Sequence, residues 1–192
     1  MNQDMQSFFD RLAADWDSCP DEYETREKIV SLAEIPKGSV IADIGCGRGV
    51  MFEHLLKTEP KKLIAVDLSG EMIRHAKEKF SDPRIAFFNE DLLEMSLPEV
   101  DAAIIYNAYP HFLDKHALGG KLAEVIGQGG ILIIAHGRSR ALINGTHRGE
   151  RVSTLSVPLD EVEKEAAKFE AFFRMETVLD NDQFYFLKLR RK

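Results

Sequence analysis

The chain has 192 residues, 44% of them hydrophobic, and a formal net charge of −7. Such a length and apolar share suit one globular domain with a full core, and the acidic balance argues against a broad nucleic-acid surface, which needs a basic face. Cys19 and Cys46 show no metal or redox spacing, the N-terminal Met1-Asn2-Gln3-Asp4 lacks a signal-peptide pattern, and no apolar run reaches the length of a membrane span, so a reduced, cytoplasmic protein is expected.

In chain order, Phe8, Phe9, Leu12, Ala13 and Trp16 recur at helical spacing, as do Tyr23, Glu27, Val30 and Glu34 less cleanly, with Pro20 and Asp21 at the break between them. Strands follow over residues 39–44, 62–66, 84–88, 101–106 and 130–136, with helices near 49–57, 70–80 and 114–126. Ser69 is placed to cap the second of these helices, whose apolar face carries Met72, Ile73, Ala76 and Phe80. Residues 137–157 have no clear period. Pro158 then opens a helix bearing Leu159, Val162, Ala166, Phe169 and Phe173, and two strands, 174–179 and 183–189, flank a turn at Asp180-Asn181-Asp182. Alternating strands and helices predict a doubly wound α/β sheet of five parallel strands with a C-terminal antiparallel hairpin.

The stretch from Val40 to Gly49 carries the most chemistry. An apolar strand runs into Asp43 and then into Gly45, Gly47 and Gly49, so the backbone can approach a ligand closely where the strand ends. A dinucleotide fingerprint needs glycine at position 50, which is Val50, and no Gly-Lys-Ser/Thr follows for a phosphate loop; both readings fail.

Asp43, Gly45, Gly47 and Gly49 match the motif D/E-x-G-x-G-x-G, and in this the chain resembles the class I S-adenosylmethionine-dependent methyltransferases. Two further marks of that family follow in order: Asp67, closing the next strand, and the acidic residue after the third strand, within Asn89-Glu90-Asp91-Leu92. The resemblance runs from about Val40 to the C-terminus and implies a seven-stranded Rossmann-like sheet and S-adenosylmethionine as cofactor, with S-adenosylhomocysteine as product. By that resemblance Gly45, Gly47 and Gly49 line the methionine and ribose part, with Cys46 a small residue that fits the turn. Asp43 holds the amino end, Asp67 takes the ribose hydroxyls, Leu68 and Leu92 sandwich adenine, and Asp91 accepts from its amino group. Met72 and Asn107 are further cofactor neighbours. The helices of residues 1–36, with Phe8, Phe9, Trp16 and Tyr23, fold over the cofactor as a lid or simply dock on the core. The whole chain, 1–192, is expected to be this one domain.

The acceptor side is sketched by the end of the fourth strand, Tyr106-Asn107-Ala108-Tyr109-Pro110-His111. Its start is similar to the Asn-Pro-Pro-Tyr motif of amino-group methyltransferases, but Ala108 and the Tyr109-Pro110 order break the match. The closer likeness is to small-molecule enzymes of the ubiquinone/menaquinone-biosynthesis type. Tyr109 and His111 are substrate-side candidates; His111 is either a general base for an alcohol or phenol or a loop residue capping the next helix. His136 ends strand five near the cleft edge and is a third catalytic candidate. A metal site from His111, His136 and His147 lacks short ligand spacing, so no metal is expected. His54, His75 and His116 read as solvated. Arg138, Arg140 and Arg148, with His147, emerge at the ligand edge in a locally basic segment, where they either recognise an anionic acceptor or pair with surface acids. The functional expectation is methyl transfer by direct displacement to a small acceptor, with neither nucleic acid nor membrane as partner. A cofactor-binding protein without transfer activity and a protein or RNA methyltransferase stand as alternatives.

Overall fold

The computed structural model describes residues 2–18, 22–146 and 154–192. The apolar runs form strands β1 (Val40–Ile44), β2 (Lys62–Asp67), β3 (Ile85–Asn89), β4 (Val100–Tyr106) and β5 (Ile126–His136), followed by β6 (Phe173–Asp180) and β7 (Tyr185–Arg191). They make one seven-stranded sheet in the order β3-β2-β1-β4-β5-β7-β6. The first five strands pair in parallel and β7 runs antiparallel to both β5 and β6, the architecture the sequence predicts.

Side chains of a strand alternate between the two faces of its sheet. Accordingly Ala42, Ile44, Ile64, Val66, Ile105, Leu132 and Ile134 join one core cluster, and Ile41, Leu63, Ala65, Ile104, Ile131 and Ile133 join the other. Helices cover both faces: α1 (Asn2–Leu12), α2 (Tyr23–Ala33), α3 (Phe52–Leu56), α4 (Gly70–Lys79), α5 (Lys115–Val125), α6 (Arg140–Thr146) and α7 (Val162–Ala167). No helix among the described residues is long and apolar enough to cross a membrane. Strand order reverses between β1 and β4, which opens a crevice at their carboxyl ends.

Beyond shifts of one or two residues at other ends, four elements depart from expectation. The helix after β1 starts at Phe52 rather than near Gly49, because Gly49 sits at φ +81°, outside the helical region. β5 begins at Ile126: its register against β4 jumps from Val100↔Ile126 to Ala102↔Ile131, a bulge that Gly129 accommodates at φ +74°. Within the segment expected to lack structure, residues 140–146 form α6. Asn144 locks this helix down by donating from Nδ2 to the Leu159 carbonyl (2.9 Å) and accepting at Oδ1 from the Leu159 N–H (2.8 Å). Finally, the helix expected from Pro158 starts at Val162. Its apolar stripe from Leu159 to Phe173 is nonetheless buried, and it continues into β6.

Candidate functional site

The glycine loop is pinned where it leaves β1. The N–H groups of Gly45 and Cys46 donate to the Val66 carbonyl on β2, at 2.8 and 3.1 Å. Gly45 has φ +68°, and a Cβ there would lie 2.6 Å from that of Ala108, so only glycine lets the ends of β1 and β4 approach this closely. Asp67 sits at the centre of the loop: Oδ2 accepts from the Gly47 N–H and Oδ1 from the Ser69 N–H, both at 2.8 Å. A carboxylate oxygen has two acceptor sites, so each still has one to offer. Burial pushes this carboxyl up to about 6, against the opposing pull of the two N–H groups.

Asp43 lies beneath the loop, 1% exposed, and among the described residues its Oδ2 has no hydrogen-bond partner. Burial, and then the neighbouring charge of Asp67, push it up to about 8. A buried carboxyl oxygen without a donor is costly alone and is relieved by a cationic or N–H-bearing group. Burial and both aspartates also push the Cys46 thiol well up, which makes it a neutral filler.

Above the loop opens a cavity of about 840 Å³. Gly45, Cys46, Gly47, Gly49, Asp67, Leu68, Met72, Asp91, Leu92 and Asn107 all line it, so the structure gathers every expected cofactor residue of the sheet's edge except Asp43, which stays below. Met5, Phe8, Phe9 and Leu12 of α1, with Trp16 of the following 3-10 turn, roof it. The rings of Phe8, Phe9 and Trp16 meet edge to face, with centroids 5.3 and 5.7 Å apart.

Two side chains that sequence reasoning passed over tie this roof to the floor. Arg48, within the glycine motif itself, donates from Nη1 to the carbonyls of Ala13 and Ala14, each at 3.1 Å. Asp10 accepts from the Ser69 hydroxyl at 2.5 Å and from the Glu71 N–H at 3.3 Å, at the start of α4.

The acceptor candidates separate. His111 lines the cavity, edge-on to Phe9 at 4.9 Å. Its Nδ1 lies 2.9 Å from the Leu155 carbonyl, which can only accept, so Nδ1 carries a proton and this contact fixes the ring's orientation. Tyr109 does not reach the cavity. It is fully buried, its hydroxyl donates to Glu165 at 2.6 Å, and Lys115 stands 3.6 Å above its ring. His136 is 1% exposed: the strand's alternation turns it onto the face of Tyr185, its register partner, and away from the cleft. Arg140 donates to Asp180 at 2.7 Å, outside the cavity lining. Arg138 does line it and donates from Nε to Glu22 at 2.9 Å. His147 and Arg148 lie outside the described residues. His54, expected in solvent, is 2% exposed and tilted against Tyr23 at 4.5 Å.

Glu22, Arg26 and Tyr106 complete the wall near Arg138 and were not singled out from sequence. The Tyr106 hydroxyl donates to the second Glu22 oxygen at 2.7 Å, and burial together with that carboxylate pushes the phenol well up. Asn107, at the end of β4, holds a left-handed φ of +55° and accepts at Oδ1 from the Gly137 N–H (3.0 Å), which sets the spacing between the ends of β4 and β5.

Comparison with known proteins agrees with this geometry. Residues 41–130 match the methyltransferase domain family. The trans-aconitate 2-methyltransferase of Afipia carboxidovorans is 34% identical over 119 residues, covering 59% of this chain and 45% of that protein. The 2-methyl-6-phytyl-1,4-hydroquinone methyltransferase of Synechocystis is 28% identical over 112 residues, covering 57% and 35%. The chain thus spans less than half the length of either relative. The putative methyltransferase solved in complex with the Haloferax volcanii Trm112 methyltransferase activator superposes with a TM-score of 0.81 at 16% identity, covering 95% of this chain and 97% of that one, a likeness of fold. Residues 41–130 thus match the methyltransferase domain family, and the motif and sheet order carry the chain's likeness to the class I S-adenosylmethionine-dependent methyltransferases.

Proposed function

We propose that the chain binds S-adenosylmethionine in this cavity and transfers its methyl group to a small-molecule acceptor. The observation that carries the reading is the unpartnered, buried Asp43 Oδ2 beneath a left-handed glycine loop that is itself fastened to Asp67. This donor set fits the cofactor: a carboxyl for its ammonium end, directly or through water, and a second with one acceptor site per oxygen for its two ribose hydroxyls. When bound, the cofactor supplies a methyl group on a positively charged sulfur, open to direct displacement.

The protein's part is binding, positioning and exclusion of water. Leu68 and Leu92 flank the adenine and Asp91 accepts from its amino group; Asn107, Met72 and Gly47 face the remainder, and Trp16 and Phe9 close the roof. His111, whose ring is oriented by the Leu155 carbonyl at Nδ1 and lines the cavity, takes the proton of a hydroxyl acceptor. The enclosed apolar roof and the names of the trans-aconitate and hydroquinone relatives favour a small acceptor over a macromolecule.

Calorimetry with S-adenosylmethionine and S-adenosylhomocysteine tests the cofactor. Incubation with a fractionated metabolite extract, following S-adenosylhomocysteine release and the mass gain of one methyl group, tests transfer. Binding of both nucleosides with fraction-dependent product is expected. Binding without turnover in any fraction would leave a cofactor-binding protein, and absence of binding would end the reading.

A further inference from the structure

We propose that Arg138 anchors a carboxylate of the acceptor, with Glu22 and Tyr106 as its positioning residues; this rests on the methyl-transfer reading of the same cavity. A guanidinium carries five N–H donors in a fixed plane, and its Nη1–Nη2 end matches the two oxygens of a carboxylate. In Arg138 the Nε edge is already used, donating to Glu22 Oε1 at 2.9 Å. Among the described residues none accepts from its Nη atoms, although the residue lines the cavity with a side chain only 32% exposed. The end suited to two-point recognition is thus open while the other edge is held.

The holding is rigid. Glu22, its side chain 14% exposed, also accepts from Tyr106 at 2.7 Å, and Tyr106 belongs to a buried sheet strand. The backbone at Gly137 is fixed by Asn107. Fixing both the guanidinium and its counter-charge removes ordering cost from acceptor binding.

The shape of the open end narrows the class. The Nη1–Nη2 edge of Arg138 offers one two-point site, which one acceptor carboxylate fills. A phosphate monoester brings roughly −1.5 to −2 and meets Glu22 as a like charge. The rest of the chamber offers Phe8, Phe9, Phe112 and Ile143, so the body behind the carboxylate is apolar. The class is a small monocarboxylic acid with a hydrophobic body.

The test titrates protein saturated with S-adenosylhomocysteine with octanoate, octanamide and octylamine, by calorimetry. Octanoate should bind about 10- to 100-fold more tightly than octanamide, and Arg138→Gln should remove that preference while leaving S-adenosylhomocysteine affinity unchanged. Arg138→Lys, which keeps the charge without the planar end, should retain only part of it. Equal binding of acid and amide, no octanoate binding, undiminished preference in Arg138→Gln, or preference for octylamine would each overturn the proposal, the last making Glu22 the head-group site. Failure of S-adenosylhomocysteine to bind the wild type would instead overturn the methyl-transfer reading, and the same titration without it still decides the anchor.

Discussion

The floor beneath the ends of β1 and β2 is held by backbone groups, whereas the wall at the ends of β4 and β5 is held by side chains. On the floor, Asp67 is fastened by two N–H groups, one from the glycine loop and one two residues further on, and the loop is fastened by the Val66 carbonyl. On the wall, Glu22 joins Tyr106 and Arg138 across 84 and 116 residues of chain. Contacts made by backbone survive most substitutions; contacts made by side chains change with one. A cofactor floor of the first kind can stay constant while the wall is rewritten for another acceptor, which is how one fold serves many chemistries.

The largest expected effect falls on the acceptor side. His111→Ala should lower turnover on a hydroxyl acceptor by roughly 10²- to 10⁴-fold while leaving cofactor affinity unchanged. Full turnover would make His111 a structural residue that ties the loop after β4 to Leu155, and a parallel loss of cofactor binding would blur the separation between floor and wall. Next comes Asp67→Ala, which should cost roughly 2–4 kcal/mol of cofactor affinity in calorimetry, since two hydroxyls lose a charged acceptor and Gly47 loses its anchor. Unchanged affinity would move the ribose away from β2.

This division also explains what could be read in the sequence. Asp43, Gly45, Gly47, Gly49 and Asp67 are local: strand, turn and strand end, each visible as a short pattern. The parallel pairing of the first five strands follows from the same alternation of strands and helices. Tyr109 and His136 misled because position along a strand end does not fix which way a side chain points; alternation and the loop's 3-10 turn at residues 109–111 decided that. For Arg140 the sequence leaves two fates open, an anionic acceptor or a surface acid, and α6 turns it to the second, Asp180. Glu22 and Arg48 had no pattern to betray them, because their partners are set only when the N-terminal helices dock.

A stability series on two glycines probes the rigidity of the floor. Gly45→Ala should destabilise by about 2 kcal/mol in urea unfolding, from left-handed strain plus collision with Ala108. Gly38→Ala, also left-handed at φ +80° but with open space around it, should cost only about 1 kcal/mol. Equal costs would mean that β1 and β4 can part without penalty, and that the floor is softer than its hydrogen bonds imply.

The smallest effect, and the one with the most informative sign, concerns Asp43. Its folded value of about 8 stands above the ordinary 3.8, so between these pH values the folded chain keeps a proton that the unfolded chain has released. Stability must then fall as pH rises through this window and level off above it, and Asp67, raised to about 6, contributes in the same direction over the lower part. Asp43→Asn removes the first contribution: relative to wild type it should gain stability progressively up to pH 8 and nothing near pH 4, with the cofactor absent. Binding should run the other way. The carboxyl must ionise to face the cofactor's ammonium group, so wild-type affinity should climb from pH 6 toward pH 8, where an α-amino group itself begins to lose its proton at about 7.7–8.0. The variant should bind more weakly and show little slope. Urea midpoints across pH, paired with calorimetry, separate the two. Parallel stability curves for both proteins would show that Asp43 is already solvated or paired, and would remove the buried, unpartnered carboxyl as the reason this floor selects a cationic ligand end.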